Sequence, residues 1–157
     1  MPSITPSLWF DNNLEEAAQF YTSIFPNSTI EKFERYTEAG PGTPGDVVWG
    51  TFVLDGTRFM GINGGPQFPF TEAVSFQIAC EDQAEVDRLW AALSDGGSTS
   101  ACGWLKDRWG LSWQIVPTRL IQLLNDPDPG RARRAMEAMM QMNKIIIADL
   151  ERAADGA

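Results

Sequence analysis

NLEEAAQFYTSI (residues 13–24) and DQAEVDRLWAAL (residues 82–93) are two versions of one pattern. A shift of 69 residues lays Asn13 on Asp82, Glu16 on Glu85, Ala17 on Val86, Phe20 on Leu89, Tyr21 on Trp90 and Ile24 on Leu93. Each copy opens on a residue type that caps helices, with a glutamate three positions on, which is the spacing of a capping box. Each then carries apolar residues at helical spacing: Leu14, Ala17, Ala18, Tyr21 and Ile24 in the first, Val86, Leu89, Trp90 and Leu93 in the second. A second register, shifted by 54, lays GTRFM (56–60) on GLSWQ (110–114). The chain therefore contains an internal duplication, and the repeating unit decides the fold.

Outward from the helices, each half reads strand, helix, then about three strands. In the first half, strands are expected over residues 4–10, 28–37, 47–54 and 58–63, with a Gly/Pro loop over 38–46 and a hairpin turn at Asp55-Gly56. In the second half they are expected over 73–80, 99–106 and 111–116, with Gly96-Gly97 stopping the helix and residues 107–110 turning. Beyond Pro117 the pattern is helical, with helices expected over 132–142 and 144–153. The fold class is α+β: modules at about 1–66 and 72–117 with a helical tail at 118–157, all in one domain.

Composition narrows the function. The chain of 157 residues is 43% hydrophobic and 21% charged, which is globular and not disordered composition. No apolar run reaches the ~18 residues of a membrane span, and the first residues lack a basic and an apolar secretory region. A cytoplasmic location is the expectation. Twelve basic and 21 acidic residues give a net charge of −9, which argues against nucleic acid and anionic membranes as partners. The chain has no histidine, so no imidazole base, triad or imidazole metal ligand is available. Its two cysteines, Cys80 and Cys102, read as free thiols.

Some residues stand out within this frame. Ser75 and Gln77 share one face of their strand, and Gln114 is polar in an apolar strand. These three are either ligand-orienting groups in a mostly apolar pocket or part of a solvated sheet face. Cys102 is either a thiol activated by Lys106 or a structural cysteine. Of the six tryptophans, one or two are expected at a cavity rim and the rest in the core. Asp107 and Glu72 are candidate bases. The remaining carboxylates gather at helix starts, where they satisfy N–H groups. Met136, Met139 and Met140 with residues 145–147 make a packing or partner surface.

LWFDNNLEEAAQFYTSIFPNS (8–28), FMGINGG (59–65), EAVSF (72–76) and above all CGWLKDRWGLSWQIVP (102–117) resemble the PhnB-like branch of the vicinal oxygen chelate superfamily. That branch often carries a 3-demethylubiquinone-9 3-methyltransferase label, and the tail DPDPGRARRAMEAMMQMNKI (126–145) resembles it too. The superfamily includes glyoxalases, extradiol dioxygenases and the bleomycin- and fosfomycin-resistance proteins. The resemblance implies two βαβββ modules curling into one concave mixed sheet, within a homodimer.

In metal-using members of that superfamily, four ligands come from first and last strands of the two modules. The repeat places the equivalents near Pro6, Met60, Ser75 and Gln114. None is a good ligand for zinc, iron or manganese. The expectation is a protein without metal or other cofactor that binds a small molecule through Ser75, Gln77, Gln114, Met60 and Cys102. The alternatives are a metal-dependent glyoxalase, lyase or isomerase of the same superfamily, and, third, an S-adenosylmethionine methyltransferase. The last lacks its usual signature, because the first strand runs into Asp11-Asn12-Asn13 with no glycine-rich turn.

Overall fold

A computed structural model describes residues 1–157, which form two compact units, Met1–Pro69 and Phe70–Ala157. The first contains β1 (Ser7–Phe10), α1 (Leu14–Ile24), β2 (Thr29–Arg35), β3 (Val47–Leu54) and β4 (Thr57–Asn63). Its sheet runs β1-β4-β3-β2, with β1 parallel to β4 and the other pairs antiparallel. Leu8 and Phe10 of β1, Phe52 of β3 and Phe59 of β4 are buried with Leu14, Ala17, Ala18 and Tyr21 of α1. A β-carbon at Gly61 would collide with the Leu14 side chain, so glycine there lets α1 approach the sheet. The hairpin at Asp55-Gly56 forms as its sequence predicts, both residues taking positive φ (44° and 80°).

The second unit repeats this order with β5 (Ser75–Cys80), α2 (Gln83–Ser94), β6 (Ser98–Thr99), β7 (Trp104–Lys106) and β8 (Ser112–Pro117). Its sheet runs β5-β8-β7-β6, with β5 parallel to β8. Strand for strand this is the topology of the first unit, so the duplication is structural. The predicted strand over 99–106 divides into β6 and β7, because Cys102 and Gly103 take φ of 60° and 83° and turn the chain between them. α2 packs on β5, β7 and β8, burying Val86, Leu89 and Leu93.

The tail forms α3 (Thr118–Leu124), α4 (Pro129–Met139) and α5 (Ile147–Asp155). α4 starts earlier than its apolar pattern predicts, because Asp128 accepts from Gly130 N and Pro129 takes the first helical turn. The tail has its own core of Leu120, Leu123, Ala135, Ile145, Leu150 and Ala154, joined by Val116 of β8. Met139 and Met142 pack against it, whereas Met136 and Met140 stay exposed. No helix is long and apolar enough to cross a membrane.

The two helix starts differ, against the sequence expectation. Asp82 is a working cap: its Oδ1 accepts from Glu85 N at 2.8 Å, and Glu85 Oε2 accepts from Glu81 N at 2.8 Å. Asn13 makes no side-chain cap, and its Oδ1 is buried without a partner. Its backbone (φ −122°, ψ 23°) is off the extended conformation that aims a capping oxygen inward. Asn63 of β4 caps instead, its Oδ1 accepting from Leu14 N at 3.0 Å while its Nδ2 donates to Val47 O at 3.1 Å.

Candidate functional site

Strand pairing sorts the second sheet into two faces, because paired residues share a side. Phe76, Ile78, Leu105, Trp113 and Ile115 face α2. The opposite, open face carries a row across all four strands: Ser75 pairs with Ser112, Ser112 with Lys106, and Lys106 with Ser98. The next row is Gln77, Gln114 and Trp104. Ser75, Gln77 and Gln114, singled out by alternation, therefore do share a face. Gln114 Nε2 donates to Ser75 Oγ at 2.8 Å, tying the two rows together.

A cleft of about 240 Å³ opens beside these rows, lined by Glu72, Lys106, Trp104, Ser112 and the hydroxyl-rich Ser98–Ser100 edge. Lys106 donates to Glu72 in an ion pair, and that hydrogen bond holds the Glu72 carboxyl below its ordinary pKa. Ser112 is fully buried, and its hydroxyl has no hydrogen-bond partner. Sequence reasoning missed Lys106 and Ser112 as lining residues. The alternation of 104–106 and 112–114 around a short turn was the available signal.

The other candidates go elsewhere. Met60 lies in the first unit, on the sheet face opposite α1, paired with Ser7 and Thr51. Cys102 does not line the cleft. It sits in the β6–β7 turn, where its N–H donates to Met142 O at 2.8 Å and Gly103 N donates to Asn143 O at 2.8 Å. Lys106 is committed to Glu72. Asp107 is a structural acceptor and not a base: it is 2% exposed, Oδ1 accepting from Trp109 N (2.9 Å) and Leu111 N (3.1 Å) and Oδ2 from Trp113 Nε1 (2.9 Å). Burial pushes the Cys80 thiol up to about 11, so it is unreactive. The tryptophans reverse expectation. Only Trp113 is buried; Trp9, Trp49, Trp90, Trp104 and Trp109 are half-exposed. Two of these lie against cations, with Lys32 Nζ 4.4 Å from the Trp49 ring and the Arg108 guanidinium 5.4 Å from that of Trp109.

Register also corrects the overlay of first strands. Met60 pairs with Ser7, and its repeat equivalent Gln114 pairs with Gln77, so Ser7 and Gln77 correspond, and not Pro6 and Ser75. Residues 11–13 link β1 to α1 but only 81–82 link β5 to α2, and Asn12 absorbs the extra residue with φ 61°. A shift that fits the helices is therefore one short in the strands.

Two modules of matching strand order define the class of the protein: a duplicated α+β fold in which each unit runs strand, helix and three strands. Residues 2–116 match the family model described as 3-demethylubiquinone-9 3-methyltransferase, and the chain belongs to that family. It is similar to the PhnB protein of Bacillus cereus, itself carrying the 3-demethylubiquinone-9 3-methyltransferase label, with 38% identity and a TM-score of 0.69 over 74% of this chain and 99% of that one. Protein PA1353 of Pseudomonas aeruginosa (23% identity, TM-score 0.61, 74% and 98% covered) shares the fold. So does the fosfomycin resistance protein FosX of Mesorhizobium loti (10%, 0.52, 74% and 91%). No curated protein matches the chain. The tail from Thr118 onward lies outside the family match.

The groups implied by class and label can be tested against these residues. With the register corrected, the four positions to which the sequence resemblance points are Ser7, Met60, Gln77 and Gln114: a hydroxyl, a thioether and two amides. Nowhere do three or more His, Cys, Asp or Glu side chains gather as a metal-holding group. This donor set does not fit a catalytic divalent ion. S-adenosylmethionine fits no better in the usual doubly wound manner, since each sheet is mixed and β1 enters α1 through Asp11-Asn12-Asn13.

Proposed function

We propose that the chain is a binding protein that takes a small organic molecule on the open face of the β5–β8 sheet, without a metal. The observation that carries this reading is the Ser75–Gln114 hydrogen bond. It fixes two polar side chains on the face opposite α2, beside a cleft that Trp104 walls on one side. A few placed polar groups against an apolar wall are what orient a small ligand. The donor set weighs against the metal-dependent glyoxalase, lyase or isomerase reading of the same fold. The chain acts in the cytoplasm with both cysteines free. It works as a homodimer, a reading supported by the exposed Ile121, Met136 and Met140 of the tail and by Phe68 and Val74.

Native mass spectrometry of freshly purified protein tests all of this together. The expected spectrum is a dimer carrying a non-covalent organic adduct and no metal. One zinc, iron, manganese or nickel per chain, with catalysis that follows metal content, overturns the binding-protein reading.

A further inference from the structure

The row Ser75–Ser112–Lys106–Ser98 holds one cation, and the protein's own carboxylate sits on it. Glu72 reaches Lys106 from the exposed turn that precedes β5. The Glu72 side chain is 61% exposed and that of Lys106 39%, so the pair is open to solvent and contributes little to stability. Next to Lys106 in register, Ser112 keeps a fully buried hydroxyl with no partner in the protein. Such a group is costly to bury and keeps a free donor available on this face. Trp104 completes the cleft with a flat aromatic wall.

We propose that this cleft seats the carboxylate of a small, flat organic acid on Lys106 and the Ser112 hydroxyl, with Trp104 against its body, and that Glu72 is an intramolecular occupant which the ligand displaces. The inference rests on the reading that the open face of this sheet binds a small molecule, and it adds the ligand's charge and a built-in competitor. Lys106 and Ser112, neighbours in register, supply a charge-assisted and a neutral donor to one carboxylate, and Lys106 already holds that of Glu72. Displacement exchanges one surface ion pair for another, so the ordinary surface penalty of breaking Glu72–Lys106 is small. Binding is then limited by the fraction of molecules in which Glu72 has swung away. No bond is made or broken.

The test is a titration of the full-length protein with sodium benzoate, followed by tryptophan fluorescence and amide chemical shifts, with benzamide as the uncharged control. Benzoate is expected to shift the amides of Ser75, Trp104, Lys106, Ser112 and Gln114, and benzamide not to. Glu72→Ala should tighten benzoate binding by about two- to fivefold by removing the competitor. Lys106→Met should weaken it by about tenfold or more, and Ser112→Ala by several-fold. Amide-shift dispersion and thermal melts establish that each variant is folded; Glu72 and Lys106 are exposed enough to change without repacking. If Glu72→Ala leaves benzoate affinity unchanged or lower, the proposal is overturned. If benzamide binds as well as benzoate and shifts the same amides, the carboxylate inference falls while the binding face stands. If neither compound shifts any residue of β5 to β8 in folded protein, both the inference and the binding reading fall.

Discussion

Asp107 and Ser112 are the two buried polar residues of the chain, and the fold treats them in opposite ways. Asp107 is saturated: two backbone N–H groups and the Trp113 indole all donate to it, which closes the 107–110 turn and anchors the indole in the core. Its amide replacement has one acceptor oxygen where the carboxylate has two, so an N–H is left facing an NH₂ group. Asp107→Asn is therefore expected to cost about 2–3 kcal/mol of unfolding free energy, read by urea denaturation. A loss below about 0.5 kcal/mol would mean that the carboxylate is not what holds the turn. Ser112 has its hydroxyl buried and unpaired, and Ser112→Ala removes that group while keeping nearly the same shape. The expected outcome in the same denaturation assay is a gain of about 1 kcal/mol, because a desolvated, unbonded hydroxyl is removed.

Among the elements, the helix starts separate what can be read from a sequence from what cannot. Asp82→Ala should lower stability by about 1 kcal/mol, since its oxygen satisfies Glu85 N. Asn13→Ala should cost nothing and not lower the midpoint at all, because its buried oxygen caps nothing and has no partner to lose. Asn63→Ala, far away in sequence, should cost about 1–2 kcal/mol by freeing Leu14 N and Val47 O together. Thermal melts of the three variants decide the order, and Asn13→Ala being the most damaging would refute the assignment. Asn13 and Asp82 occupy the same place in the local pattern, so local pattern cannot tell them apart; the extra residue at Asn12 turns one away and brings in a cap from β4. For the same reason the helix overlay predicts Pro6 and Ser75 where strand register selects Ser7 and Gln77. The hairpin, the strand Val47–Leu54 and the duplication were legible because each rests on short-range spacing. So was the shared face of Ser75, Gln77 and Gln114. The Glu72–Lys106 pair was not, because only the β5-β8-β7 order brings the β5 approach to β7.

At the scale of the molecule, charge is the dominant feature, and the missing histidines shape its response to pH. The side chain whose ordinary pKa lies nearest neutrality is absent, and burial holds the Cys80 thiol up at about 11. Several carboxyls sit below their ordinary pKa in the folded state. Glu31 does so through its hydrogen bond from Arg58, and Glu72 through that from Lys106. Asp87 does so through that from Lys144, and Asp126 through the backbone N–H of Asp128 and then Arg131. A folded pKa below the unfolded one means that the unfolded chain binds protons first as pH falls. Their stabilisation is thus complete above the ordinary carboxylate range and is lost as pH drops through the folded pKa. All four are at the surface, so each contribution is small and salt-screened. Protonation of other carboxylates meanwhile relieves the repulsion within a chain of net charge −9, which works in the opposite sense until the ion pairs begin to break. The expected profile is a thermal midpoint nearly flat from about pH 6 to 8, falling only below about pH 4. Added salt should raise the neutral plateau by screening the net charge and reduce the acid-side drop by weakening the pairs. Calorimetric scans at several pH values and two salt concentrations measure this directly, and a step in the midpoint between pH 6 and 7.5 would contradict it.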